Sequence, residues 1–188
     1  MPKIILLSGF RGSGKDTLGQ LIIDNMPHFE RQAFADKLKD IIAEKYGFDR
    51  NLADIRAEKE MPRSEYGGLS IRELGRKEWL TIKETHPTLF SEGVGATMQR
   101  RWDKDPDTRF VVTDFRYRCD FETLVKLFGR DVILTVRIHR PGIQVPDRET
   151  EPEEYALEDF DFDLTLENDG TFEDLWRRFS EVVSRNPS

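Results

Sequence analysis

The chain has 188 residues, enough for one domain of ordinary size with a real core. Hydrophobic content of 37%, with thirteen Phe and three Trp, excludes general disorder. Against 36 acidic side chains stand 29 basic ones, and the net charge of −7 argues against non-specific binding to nucleic acid or an anionic membrane. A local basic cluster inside a cleft can still take a small anion. Cys119 is the only cysteine, so no intrachain disulfide is expected and a reducing compartment is the natural setting. The N-terminal aliphatic run is too short for a secretory core or a membrane span, and the chain reads as cytoplasmic.

In chain order, "KIILLS" (3–8) is a continuous aliphatic run of the kind buried on both faces of a parallel sheet, and Gly9 ends it. A glycine loop follows. Leu18, Leu21, Ile22 and Met26 then recur at helical spacing until Pro27. "FERQAFA" (29–35) predicts a short strand and "DKLKDIIAEKYG" (36–47) a helix stopped by Gly47. Residues 48–68, charged and closed by Gly67-Gly68, read as a loop-rich insert. Ser70 with Glu73 forms a capping-box pattern opening a helix over 71–85, and a further short helix is expected over 92–102. "RFVVTD" (109–114) and "DVILTVRI" (131–138) are strand patterns separated by a helix near 119–128. The Pro- and charge-rich 139–155 reads as a surface loop, and "FDLTLEN" (162–168) as the last strand. Thr171 caps a final helix whose Phe172, Leu175, Trp176, Phe179 and Val183 form one apolar face. Strands alternating with helices imply one α/β domain with a parallel sheet covered on both sides.

The chemistry-bearing stretch is "GFRGSGKDT" (9–17), which matches the phosphate-loop pattern G-x-x-x-x-G-K-[ST] up to its last position. Gly9, Gly12 and Gly14 let the backbone curl so that its N–H groups face phosphate oxygens, and Lys15 supplies charge for the outer phosphates. Asp16 stands where a hydroxyl is usual. It is either a carboxylate ligand for Mg²⁺ or a plain acid at a helix N-terminus, with Thr17 then the hydroxyl in play. Asp114 ends a buried strand, where the second magnesium-positioning acid of such enzymes lies, or serves as a turn acid there. Arg11, Arg116, Arg118, Arg137 and Arg140 gather at the same strand ends, where guanidinium groups can stabilise a phosphoryl group in transfer. Arg116 and Arg140 are the foremost of them. Arg72 is a candidate for the second substrate's phosphate. The three histidines lack metal-ligand spacing, and Asn168-Asp169-Gly170 reads as turn chemistry.

The segments "LSGFRGSGKDT", "FADKLKD", "LSIREL", "VVTDFRYRCDFE", "VRIHRPG", "ETE" and "LENDGTFEDL" together resemble the deoxynucleoside monophosphate kinases of tailed bacteriophages. That family belongs to the phosphate-loop nucleoside monophosphate kinases, near the dephospho-coenzyme A kinases. The resemblance implies a three-layer fold on a five-stranded parallel sheet, an acceptor-binding helical region over about 36–105 and a lid over 139–157. It implies transfer of the ATP γ-phosphate to a deoxynucleoside monophosphate, with Mg²⁺. Carried onto matching positions, Gly9 to Thr17 (with Arg11 and Ser13) and Arg137 would hold ATP, and Arg140 would lie in the lid over it. Lys15, Arg116 and Arg140 would act in transfer, and Asp16 and Asp114 with Mg²⁺. Phe34, Asp36, Lys39, Arg72, Asp114 and Arg116 would meet the acceptor. The chain departs from the family after "SIREL", where it reads "GRKEW", and in the lid, where Arg148-Glu149-Thr150-Glu151 lacks the usual histidine.

Two other readings stand beside this one. An alcohol kinase of the dephospho-coenzyme A type would need a general base, for which Asp36 is a candidate. A nucleotide-gated binding protein would need no second substrate. The sequence leaves assembly open, a homodimer included.

Overall fold

The computed structural model describes residues 2–185. Five parallel strands, β1 (Ile4–Ser8), β2 (Phe29–Gln32), β3 (Arg109–Val112), β4 (Ile133–His139) and β5 (Leu164–Glu167), line up in the order β2-β3-β1-β4-β5. β1 is central, pairing Ile4 with Phe110 on one side and with Ile133 on the other. All five of its residues are buried, which is why the run is aliphatic without alternation. Alternation survives in where the side chains go. Ile4 and Leu6 join one core with Phe34, Ile42, Phe90 and Leu124, whereas Ile5 and Leu7 join a second with Leu18, Ile22, Leu175 and Phe179.

The second core lies under α1 (Lys15–Asn25) and α7 (Phe172–Arg185). The first lies under α2 (Phe34–Tyr46), α4 (Ile71–Thr85), α5 (Leu89–Trp102) and α6 (Arg118–Phe128). Between α2 and α4, the stretch expected to be loop-rich is largely helical: a 3-10 turn at Arg50–Ala53, the short helix α3 (Arg56–Glu60) and another 3-10 turn at Ser64–Tyr66. Asp49 caps the first of these turns through the Asn51 amide. β4 and β5 are joined by a long loop holding one 3-10 turn, Pro152–Tyr155. Among the described residues no helix is long and apolar enough to cross a membrane.

Further boundaries differ from the sequence reading. α2 begins at Phe34, two residues early, because the Asp114 carboxylate accepts hydrogen bonds from the Phe34 and Ala35 amides and supplies the cap from just beyond β3. α5 begins at Leu89 rather than 92. Phe172 is 64% exposed and stands off the apolar face of α7. The capping box at Ser70 and Glu73 forms with both of its halves.

α1 crosses the sheet at Gly19, where an added Cβ would stand 2.6 Å from the Thr113 methyl and 3.8 Å from Leu7. Gly19→Ala is therefore expected to lose about 1 kcal/mol net, since overpacking outweighs the helix propensity gained, and to lower Tm by about 3 °C. A thermal melt checks this; a higher Tm would mean that the helix has room to spare.

Candidate active site

The site is built where β1 and β3 end. Gly14 is the N-cap of α1 in the left-handed region, with φ of 105°. A Cβ there would meet the Asn168 amide nitrogen at 2.4 Å, so the position needs glycine on two counts. Asn168, buried just beyond β5, donates its side-chain N–H to the Ser13 carbonyl at 2.8 Å. It pins the loop in its curl. The sequence suggests only turn chemistry for Asn168; its place at the end of the last strand pattern is the available signal.

Inside the loop, Lys15 is buried and donates to the Gly9 and Phe10 carbonyls at 2.7 and 2.9 Å. Burial, then the nearby Arg116 charge, pushes its pKa down to about 8. The Ser13 hydroxyl is buried without a partner, and such a group calls for a ligand or a water. Asp16 is exposed in the first turn of α1, Thr17 is half-buried beside it, and Arg11 is exposed on the loop. A curled glycine loop, an orphan hydroxyl and an ammonium held only by carbonyls fit a polyphosphate chain.

Beyond the loop a cavity of about 570 Å³ opens between α2, α4, the end of β3 and the β4–β5 loop, within the roughly 300–1,000 Å³ range of small-molecule sites. Its floor is apolar, with Leu38, Ile42 and Ile71. Its far wall is aromatic: Trp79 stacks on Phe90 at 4.4 Å and on Tyr117 at 5.5 Å, and its indole N–H donates to the Tyr117 hydroxyl. Cations ring it. Lys39 is held by Asp36 and Asp54, and Arg72 by Glu60. A second cavity of about 560 Å³ lies at the opposite ends of β4 and β5, around Ile133, Leu164 and an Arg130–Asp163 pair, remote from the loop.

Arg116 donates to Glu154, a buried carboxylate on the 3-10 turn of the β4–β5 loop. Burial opposes the Arg116 charge, but Glu154 and Asp114 outweigh it and leave its pKa above the ordinary value. The Glu154 charge partly offsets the lowering of the Lys15 pKa, and Tyr155 packs its ring 5.2 Å from Phe10 of the glycine loop. The β4–β5 loop thus rests on the phosphate loop. Arg76 adds a second tie, donating to the Thr150 carbonyl and to Glu153.

The expected site residues divide accordingly. Gly9 to Gly14 form the loop and Lys15, Asp16 and Thr17 open α1, while Arg11, Lys39, Arg72, Asp114 and Arg116 share the cavity wall. Phe34 is 1% exposed in the core, so its ring cannot meet an acceptor. Asp36 serves Lys39, Arg31 and Arg50 and does not line the cavity. The Asp114 carboxylate is committed to the first amides of α2, and burial raises its pKa. Arg137 bonds Ser8 and lies over the Phe10 ring, bracing the loop, while Arg140 is exposed without a partner among the described residues. Glu154, Trp79 and Tyr117 escaped the sequence reading. Among the described residues no three His, Cys, Asp or Glu side chains gather as a metal cluster. Asp16, in the first turn of α1, has no bonding partner among the described residues, and its carboxylate could serve as an oxygen ligand of a divalent cation.

No protein-family model matches the chain, and no curated protein sequence does. Solved structures do. An unliganded sugar kinase from Janibacter sp. HTCC2649 matches at TM-score 0.55 and 16% identity, over 100% of this chain and 97% of that one. The dephospho-CoA kinase from Campylobacter jejuni matches at TM-score 0.53 and 13% identity, over 98% and 97%. Likeness at this identity carries the fold alone: an α/β architecture on a five-stranded parallel sheet, shared with these two kinases.

Two expectations follow. An unfolded lysine keeps its proton to about 10.5, but folded Lys15 releases it near 8. Between those values the unfolded chain binds more protons, so stability rises with pH across that window. Melts of wild type and Lys15→Met in parallel should show the difference moving in favour of wild type from pH 8 to 10.5; a flat difference would contradict the buried ammonium. Glu154→Gln leaves Arg116 without its counter-charge. Because the Arg116 side chain is 31% exposed, the expected loss is about 2 kcal/mol by denaturant titration, below that of a fully buried pair. An unchanged midpoint would show that the pair contributes nothing.

Proposed function

We propose that the chain is an ATP-dependent kinase that transfers the γ-phosphate to a deoxynucleoside monophosphate. The observation that carries this reading is the meeting of a phosphate loop with a cation-lined cavity at one edge of the sheet. Such transfer asks for positioning and charge rather than covalent chemistry. The loop amides, the Ser13 hydroxyl and Lys15 would bind the phosphates of ATP, with Lys15 exchanging the Gly9 and Phe10 carbonyls for phosphate oxygens. Arg116, between the loop and the cavity, would serve the phosphoryl group in transfer. Arg140, unpartnered after β4, would close over the nucleotide with the 139–157 segment as a lid. Asp16 would hold Mg²⁺, whose chemistry here is charge neutralisation and orientation of phosphate oxygens.

The helical region over 36–105 would take the acceptor. Trp79 of that region, with Tyr117 from the start of α6, gives the cavity an aromatic wall against which a base could lie. A phosphate acceptor needs no general base, and the candidate base for an alcohol, Asp36, is tied up in ion pairs off the cavity wall. That favours a monophosphate over an alcohol acceptor. The deoxynucleoside identity rests on the motif resemblance.

The test is ADP release from Mg-ATP with each deoxynucleoside monophosphate, its ribose counterpart and dephospho-coenzyme A in turn. Turnover is expected with at least one deoxynucleoside monophosphate, and Lys15→Ala should cut kcat by about a hundred-fold or more. Turnover with dephospho-coenzyme A alone, or ADP release indifferent to any acceptor, would overturn the reading.

A further inference from the structure

Six cationic residues line the cavity: Arg11, Lys39, Lys59, Arg72, Arg76 and Arg116. Four are satisfied by acids of the chain: Lys39 by Asp36 and Asp54, Arg72 by Glu60, Arg76 by Glu153 and Arg116 by Glu154. For the side chains of Arg11 and Lys59 the described residues supply no hydrogen bond or ion pair. Arg11 is exposed on the glycine loop, where water serves it. Lys59 is different. It sits on α3, half-buried, in the segment that the sequence suggested was mere loop.

A half-buried ammonium with no partner costs free energy that a solvated one does not. Burial, then the like charges of Arg72 and Lys39, hold its pKa below that of an ordinary lysine. Of the acids that pull the other way, Glu60 is already bonded to Arg72, and Asp16 belongs to the phosphate-loop helix. Lys59 and Arg11 of the phosphate loop line the same cavity. An anion entering between them would be the partner that the fold withholds.

We propose that Lys59, together with Arg11, binds the phosphate group of the acceptor and so makes the site select a phosphorylated acceptor over its unphosphorylated counterpart. The proposal rests on the kinase reading for the name of the acceptor, but on the two unpartnered cavity cations for the site. α3 packs on α4, so the acceptor-side segment carries its own cation to the place where the phosphoryl group must arrive.

The experiment compares wild type, Lys59→Gln and Lys59→Arg. Calorimetry measures binding of a deoxynucleoside monophosphate and of the same deoxynucleoside without phosphate; steady-state kinetics gives both KM values. Lys59→Gln is expected to weaken monophosphate binding about ten- to hundred-fold, with deoxynucleoside binding and the KM for ATP within about two-fold of wild type. Lys59→Arg should recover most of the loss. The ligand-free Tm of Lys59→Gln should equal or exceed that of wild type, because an unpaired cation has gone; a structural lysine would not behave so. Unchanged monophosphate affinity, an equal loss for the deoxynucleoside or a lower ligand-free Tm would each overturn the assignment. If wild type binds a monophosphate but transfers nothing to it, the kinase reading fails while the affinity ratios still decide on Lys59. If wild type binds no monophosphate, both fall.

Discussion

The structure depends on holding like charges together. In a chain of net charge −7, Lys15 and Arg116 stand close enough to perturb one another, and Arg72 and Lys39 do the same to Lys59. Such a cluster is unfavourable unless acids are set among it or an anion comes to it. The chain supplies the acids. Glu154, Glu60, Asp36 and Asp54 neutralise most of the cations, while Lys59 and Arg11 are left open. The open charges line the cavity beside the glycine loop, in which the Ser13 hydroxyl is orphaned among the described residues.

Holding the cluster requires rigid anchors, and these are polar side chains reaching between elements distant in sequence. Asp114 ties the first turn of α2 to the end of β3, which fixes one cavity wall beside the loop. Asn168 ties the glycine loop to the end of β5. The ion pair of Arg116 with Glu154 and the contact of Tyr155 with Phe10 bring the β4–β5 loop down over both. Each anchor sits at the carboxyl end of a strand or on a loop that crosses it, where open α/β sheets bind ligands.

What could be read in advance follows from the range of the interactions. The strands and the glycine loop are local patterns, as is the Ser70 capping box, and all three are present in the structure, with the strands expected over 29–35, 109–114 and 162–168 shorter, at Phe29–Gln32, Arg109–Val112 and Leu164–Glu167. The early start of α2 was hidden because its cap comes from eighty residues away. Glu154 is one of four glutamates in an acid-rich stretch, and nothing local separates the buried one from Glu149, Glu151 and Glu153. Lys59 carries no motif at all; its meaning comes from the partners of its neighbours. Asp114 was legible as a strand-end acid but not as a helix cap, since either role asks for the same residue at the same place.

The most direct measurement is the fate of label from γ-labelled ATP incubated with the wild-type chain, Mg²⁺ and a deoxynucleoside monophosphate. The account predicts label in the deoxynucleoside diphosphate and none released as inorganic phosphate beyond the background rate. Label appearing only as inorganic phosphate, or remaining in ATP with every monophosphate offered, would contradict it.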